Sequence, residues 1–220
     1  MKVKPTKEFY DLWQYIYDYF NKEVFENSLP QCLIVITNKQ NVAGHYSYKR
    51  WKSLNENQTH ELALNPNYFM QRPLMEILQT MVHEMVHCWQ FEFGKPGKNG
   101  YHNKEWAKKM IEIGLTPSAN GQEGGKQIGF KMADYVFEGG LFEEKAKVLL
   151  EEKIFKNLWY KGSGNHTVLT QEDLAALLKM EEKKKKKVKI KYSCDCGNNV
   201  WGKEEMIIIC GTCNSEFKSQ

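Results

Sequence analysis

The run Thr80-Met81-Val82-His83-Glu84-Met85-Val86-His87-Cys88 constrains this chain more than any other stretch. On a helix, residues four apart leave the same face one turn apart, so His83 and His87 present two imidazoles side by side. Two nitrogens held that way can grip one zinc ion, and Glu84 beside them can handle a proton. The flanks predict the helix itself. Pro73 suits a first turn, and Gly94 suits the position just past the last. Between them Leu74, Ile77, Leu78, Met81, Val82, Met85, Val86 and Trp89 recur at helical spacing and predict a buried stripe. Glu76, Thr80, His83, Glu84 and His87 fall on the other side, and a polar stripe on so apolar a helix needs partners.

A third donor follows at a workable distance. Gly94-Lys95-Pro96-Gly97-Lys98-Asn99-Gly100 reads as a tight reversal, after which Tyr101-His102 opens a second helical pattern through Trp106, Ala107, Met110, Ile111 and Ile113. That reversal returns His102 toward the first two histidines, with Glu105 as a rival ligand. Three protein donors and one open position make the arrangement of catalytic zinc rather than structural zinc.

The rest of the chain frames this site. At 220 residues it fits one sizeable domain plus a small appendage. With 41% hydrophobic and 26% charged residues it has a soluble, folded composition. Its apolar runs are too short for a membrane span, and Met1-Lys2-Val3-Lys4-Pro5 does not open like a signal peptide, so a cytoplasmic setting is expected. In a reducing compartment the six cysteines read as ligands or buried thiols before disulfides. Cys32 and Cys88 fit buried thiols. His60 and His166 lack partners in sequence and read as surface residues.

Residues 7–26 repeat Phe9, Leu12, Trp13, Ile16, Phe20 and Val24, an amphipathic helix ended by Asn27-Ser28-Leu29-Pro30. Residues 32–36, 42–48 and 60–64 predict three strands, the last covered on one face, lying against the histidine helix. Such a sheet offers an edge to which an extended peptide can add by backbone hydrogen bonds. Residues 114–125 read as an exposed loop, 127–138 as a strand, and 141–158 as mostly helix. Gly162-Ser163-Gly164-Asn165 is a joint. Thr170, with Asp173 as capping partner, begins a helix that runs into a lysine cluster.

The tail carries a second motif. Val188-Lys189-Ile190-Lys191-Tyr192 alternates like a strand. Cys194 and Cys196 follow, then, fourteen positions beyond Cys196, Cys210 and Cys213. Four thiolates in two close pairs can close a tetrahedron around a structural zinc, and so short a segment needs such a staple. The first pair, C-x-C, is tighter than the usual C-x-x-C. Residues 181–220 hold nine lysines against six acids, within a chain of net charge +4. Positive charge is thus concentrated at one joint, where a polyanion would be met. Lys183, Lys184, Lys185, Lys186, Lys187, Lys189 and Lys191, with Trp201 and Tyr192 for base stacking, are candidate nucleic-acid contacts.

The residues His83-Glu84-Met85-Val86-His87, His102-Asn103-Lys104-Glu105-Trp106 and the Cys194/Cys196/Cys210/Cys213 ribbon together resemble the SprT-like family, related to the eukaryotic Spartan protease. The loop Gly114-Leu115-Thr116-Pro117-Ser118 and Gly139-Gly140 are similar to bacterial and phage members. The resemblance spans about residues 9–137 and 192–217, and says nothing of 142–187. It implies an α+β fold: a compact zincin-type (minigluzincin-like) domain over 1–138, a helical, lysine-rich connection over 139–187, and a zinc ribbon over 188–220. It also implies that His83, His87 and His102 bind a catalytic zinc, with Glu84 as acid/base. Spartan-type members cleave proteins trapped on DNA, and DNA switches them on.

These readings converge on a zinc endopeptidase in which Glu84 activates a water for attack on a peptide carbonyl. Its expected partners are a protein substrate and single- or double-stranded DNA, without a membrane. Tyr46, His45 and Tyr101 are candidates for a second oxyanion donor, though a packed or exposed ring is the plainer role for each. Two rivals stand beside it: a nucleic-acid-binding or regulatory zinc protein without hydrolysis, and a cytoplasmic peptidase for one regulatory protein.

Overall fold

The computed structural model describes residues 3–69, 71–161, 190–202 and 206–219. The chain divides into two compact units, Met1–Lys179 and Met180–Gln220. Its class is α+β, with four α-helices and three small sheets among the described residues. The joint at 162–165, the helix expected from Thr170, His166, and the lysines at 183–187 and 189 lie outside the described residues.

In the first unit, helix α1 (Pro5–Phe25) begins on a proline, whose missing N–H is no loss at a helix start. It buries Phe9, Leu12, Trp13, Ile16, Tyr17, Phe20 and Val24. Asn21 fixes the exit from α1: its buried side-chain amide donates to the Leu29 carbonyl and accepts from the Leu29 N–H, both at 3.0 Å. Strands β1 (Cys32–Ile36), β2 (Gly44–Lys52) and β3 (Gln58–Leu64) form one sheet in the order β1-β3-β2. β1 runs parallel to β3, and β2 antiparallel to it. β3 is the central strand, and it is covered on both faces rather than on the one expected. His60, Glu61, Leu62, Ala63 and Leu64 are all buried, and since successive side chains alternate between faces, neither face of this stretch is left to solvent.

Helix α2 (Leu74–Phe93) buries Leu74, Ile77, Leu78, Met81, Val82, Met85 and Val86 in the common core, with Trp89 only partly buried, and meets β2 along Thr80, Glu84 and Phe91. Pro73 stands just ahead of the helix rather than within its first turn. Gly94 ends it in an extended conformation, not the left-handed one. What glycine supplies here is room, since a Cβ would lie 2.5 Å from a Glu105 carboxylate oxygen.

Helix α3 (Lys104–Glu112) is capped by the Asn103 side chain, which accepts from the Trp106 N–H. β4 (Leu115–Ser118) and β5 (Ala133–Val136) pair antiparallel. Residues 115–118, expected as exposed loop, are instead a short strand with Leu115, Pro117 and Ser118 buried. The strand expected over 127–138 shortens to β5, because only those four residues find a partner in β4. Helix α4 (Leu141–Glu151) and a short 3-10 turn (Lys153–Asn157) follow. Although they fall in the stretch read as a connection, Phe142, Ala146, Leu149 and Phe155 join the common core, and Phe142 stacks on Phe20 at 5.7 Å.

The second unit is a three-stranded sheet of β6 (Ile190–Ser193), β7 (Asn199–Gly202) and β8 (Lys218–Ser219), in the order β7-β6-β8. Its buried cluster consists of Tyr192, Cys194, Cys210 and Phe217. So few apolar side chains do not hold a fold by themselves.

Candidate functional site

His83 and His87 leave α2 one turn apart, and the end of the reversing loop, just before α3, brings His102 to them. One ring nitrogen from each lies within 4.8 Å of the others. His87 Nε2 and His102 Nε2 are 3.1 Å apart. Two nitrogens on one tetrahedral zinc stand roughly 3.3 Å apart, given bonds of about 2.0–2.1 Å. The spacing therefore suits a shared ion.

The outward nitrogens are bare for reasons the neighbours supply. His102 Nδ1 lies 3.0 Å from the Gly129 carbonyl, which only accepts, so Nδ1 carries the hydrogen and Nε2 its lone pair. His83 Nδ1 lies 2.8 Å from Asp134 Oδ1, and the same logic leaves His83 Nε2 free to bind. Asp134 is itself held by the Gln79 side chain, which donates to its carboxylate at 2.6 Å and to its carbonyl at 2.8 Å.

The electrostatics agree. Burial, reinforced by the neighbouring imidazoles, holds His87 well below the usual histidine range. Burial and His83 likewise bring His102 down to about 4. Both rings are neutral at pH 7, the form a metal would need. Burial also pushes His83 down, but the Asp134 hydrogen bond with the charges of Glu84 and Asp134 outweighs it and leaves His83 raised. A site that draws positive charge onto His83 suits a divalent cation. Trp106 forms the floor beneath all three rings, with centroid distances of 5.0 Å to His83, 5.4 Å to His87 and 4.3 Å to His102.

Glu84 is buried beside this cluster. Burial first, and then the charge of Asp134, push its carboxyl up to about 7, against the opposing pull of His83 and the Tyr46 backbone N–H. β2 thus passes directly over Glu84. At Gly44 a Cβ would meet Thr80 Cγ2 at 2.9 Å, the Ala63 carbonyl at 3.0 Å and Glu84 Cγ at 3.3 Å.

Other candidates are engaged elsewhere. Glu105 accepts from the Lys95 N–H at 2.6 Å and from Gln90 at 2.9 Å, so it clasps the end of α2 and stands outside the histidine cluster. Tyr46 donates its hydroxyl to His60 Nδ1 at 2.8 Å. His45 meets Glu61 at 3.0 Å, and Tyr101 packs edge-on against Phe130 at 5.1 Å. Their rings are packed, as the plainer expectation had it. His60 is no surface residue: at 5% exposure it also accepts from the Lys49 N–H and faces Glu92 at 3.3 Å. Cys32 and Cys88 are buried thiols with sulfurs 3.9 Å apart.

In the second unit Cys194, Cys196, Cys210 and Cys213 bring their sulfurs within 4.8 Å of one another. Two tight turns position them. The Gly197 N–H donates to the Cys194 carbonyl, with Gly197 at φ +89°, and the Asn214 N–H donates to the Cys210 carbonyl. The backbone N–H groups of Cys213 and Thr212 bring the Cys210 thiol down to about 5, making it a thiolate at neutral pH. Four sulfurs with such donors around them fit a closed zinc site. Trp201 is 60% exposed, and Lys191 pairs with it across β6 and β7. Tyr192 is buried, and its hydroxyl accepts from the Met206 N–H, which removes it from the stacking candidates.

Asp134, Gln79, Gly129 and the flooring role of Trp106 were not foreseen. The carboxylate two residues into a β-rich run was the one available signal for Asp134. No helix among the described residues is long and apolar enough to cross a membrane.

Comparison with known proteins bears on this geometry. The chain is 45% identical over 47 residues to an uncharacterised protein of the mucB 3′ region of Salmonella typhimurium, a match over 21% of this chain and 64% of that relative. No solved structure matches. The model of the SprT-like family matches residues 13–123, half of the chain and the whole span that carries His83, Glu84, His87 and His102, and the chain belongs to that family.

Proposed function

We propose that this protein is a zinc-dependent endopeptidase of zincin type that acts on DNA-associated proteins. The observation that carries the reading is the gathering of three buried or half-buried imidazoles, with bare nitrogens turned together, beside a carboxyl whose pKa is pushed up to about 7. His83, His87 and His102 would hold the catalytic zinc, and Cys194, Cys196, Cys210 and Cys213 a structural one. Bound among the imidazoles, zinc supplies a Lewis acid that acidifies water and polarises a peptide carbonyl.

The chain's own groups do the rest. Asp134 and the Gly129 carbonyl hold the hydrogens of His83 and His102 on the far side of each ring, which fixes both tautomers. Glu84 takes a proton from the attacking water and returns it to the departing amine, and a group near neutrality populates both forms that this requires. The Tyr46 N–H donates to Glu84 from β2, the edge strand of its sheet. An extended peptide adding to that edge would carry its carbonyls past the site. Trp201, Lys191 and the lysines at 183–187 and 189 would meet DNA from the ribbon side of the sequence. In this reading 1–138 is the metalloprotease segment, 139–187 the connection and 188–220 the ribbon.

The experiment compares the wild type, the wild type with chelator, and Glu84→Gln on a protein cross-linked to DNA and on the same protein free. Cleavage lost with chelator and with Glu84→Gln, and faster on the cross-linked form, is the expected result. Cleavage by Glu84→Gln at the wild-type rate would end the enzymatic reading. Equal rates on free and cross-linked protein would end the DNA-directed part.

A further inference from the structure

We propose that Asn99 is a site of spontaneous chemical modification: its side-chain amide is lost to the backbone of Gly100, and the isoaspartate left behind loosens the hold of His102 on a metal. The modification stands apart from the proposed function, whereas its consequence rests on His102 being a zinc ligand.

The chain holds two Asn-Gly pairs, Asn99-Gly100 and Asn120-Gly121. Glycine leaves the backbone nitrogen after an asparagine unscreened by any side chain, which makes such pairs prone to cyclise. The sequence makes the two pairs equivalent, and the structure separates them. Asn120 is tied down. Its Oδ1 accepts from the Ser118 hydroxyl at 2.6 Å and from the Gln122 N–H at 3.0 Å, and Ser118 is fully buried. The Gly121 N–H, the nucleophile this pair would use, donates to the Ser118 carbonyl at 3.1 Å.

Asn99 has no such restraint. It is exposed, and among the described residues its side chain has no hydrogen-bond partner. Asn99 at φ +54° and ψ +35° and Gly100 at φ +75° form a type I′ turn, closed by the Tyr101 N–H on the Lys98 carbonyl at 3.1 Å. Asn-Gly suits that turn on conformational grounds alone, which is the plain reason for the pair; its reactivity comes along with it. The turn must open before Gly100 can attack, and the hydrogen bond that closes it lies on an exposed loop tip. A Cβ at Gly100 would meet nothing within 4 Å, so the space for the reaction is clear.

Water is the one co-reactant. The Gly100 nitrogen adds to Asn99 Cγ, the Cγ–Nδ2 bond breaks, and the Gly100 amide proton departs with Nδ2 as ammonia. Water then opens the cyclic imide. Opening at the side-chain carbonyl gives aspartate, and opening at the main-chain carbonyl gives isoaspartate, whose backbone runs through Cβ and Cγ. Isoaspartate thus adds one carbon, about 1.5 Å, to the main chain. The loop around it is closed on itself. The Lys95 N–H donates to Glu105 at 2.6 Å, and the Lys95 carbonyl accepts from the Asn103 side chain at 2.8 Å. Inside that clamp a Cβ on Gly97 would stand 2.1 Å from the Tyr101 carbonyl oxygen. An atom added between these closures pushes on Tyr101 and His102.

The test ages the full, zinc-loaded chain at 37 °C and pH 8.5 in oxygen-free buffer. Both pairs are followed by peptide mapping, with an isoaspartate-specific carboxyl methyltransferase as the probe. Residue 99 should convert about tenfold faster than residue 120 in the folded protein, and at a similar rate in urea. Equal or faster conversion at 120 in the folded protein, or none at 99, would overturn the assignment. Chelator competition on the aged protein should show zinc at the histidine site held about tenfold more weakly, with the cysteine site unchanged. Asn99→Gly keeps the left-handed turn and has no amide to lose, so it should keep its zinc through the same ageing. Fresh Asn99→Asp adds the charge without lengthening the chain and should hold zinc as fresh wild type does. Unaltered affinity in protein carrying isoaspartate at 99, or equal weakening in fresh Asn99→Asp, would overturn the link to His102. Fresh wild type that binds no zinc at the histidines removes that link together with the metal reading, and the peptide map still decides the modification.

Discussion

Glu84→Gln in the metal-free protein should stabilise the fold, and increasingly so as pH rises. The folded carboxyl, buried and facing the charge of Asp134, holds its proton up to about 7 against an ordinary value of 4.5. Between those values folding takes up a proton. The stability tied to that proton is therefore full below 4.5 and is lost as pH rises through 7. At about 1.4 kcal/mol per pH unit, the loss levels off at roughly 3 kcal/mol in mildly alkaline solution. Glutamine keeps the size of the side chain and still accepts from the Tyr46 N–H, but it has no charge to bury. At about 2–4 °C per kcal/mol for a unit of this size, the variant should melt roughly 6–12 °C above the wild type at pH 8.5, and level with it at pH 4.5 or below. Calorimetry of both proteins in excess chelator across that range is the assay. A melting difference independent of pH, or a variant less stable than wild type at pH 8.5, would refute the account of a carboxyl kept neutral by burial.

Three further outcomes follow from the same geometry. Asp134→Asn removes the charge that orients His83 and should weaken zinc at the histidine site by about 10–100-fold; chelator competition should show the cysteine site unchanged as an internal reference. Gly44→Ala places a methyl group 2.9 Å from Thr80 and 3.3 Å from Glu84, so peptide hydrolysis should fall at least tenfold while zinc content, measured by metal analysis, stays the same. Cys210→Ser removes one of four sulfurs from a unit with a very small core, and amide hydrogen exchange should show protection lost across residues 190–202 and 206–219 and kept in α2.

The parts legible in the sequence are those written in local periodicity. The apolar spacing from Leu74 to Val86 specifies α2, and the pair four residues apart follows from it. His102 was readable because the run 94–100 is too rich in glycine to continue the helix and too short to travel far. Asp134 and Gly129 were not readable. They reach the site through the pairing of β4 with β5 and through the reciprocal hydrogen bonds between Gly129 and His102, contacts between residues 15–27 apart with no periodic signature. The same holds for 115–118, where Gly114 and Pro117 signal a loop but pairing with 133–136 makes a strand. Gly94 was placed correctly for another reason: chain ends suggest a left-handed glycine, whereas Glu105 demands an absent side chain. His60 looked solitary because its partners Tyr46, Lys49 and Glu92 come from a neighbouring strand and the far end of a helix.

The reciprocal hydrogen bonds between His102 and Gly129 would set when an ion can be held among the three histidines. α2 supplies two donors as soon as it is wound, but the third is aligned only when a segment some 27 residues downstream has closed over it. A nascent chain ending before Gly129 would lack the carbonyl that fixes the His102 tautomer, so any ion held by all three imidazoles would be taken up late, once folding is complete.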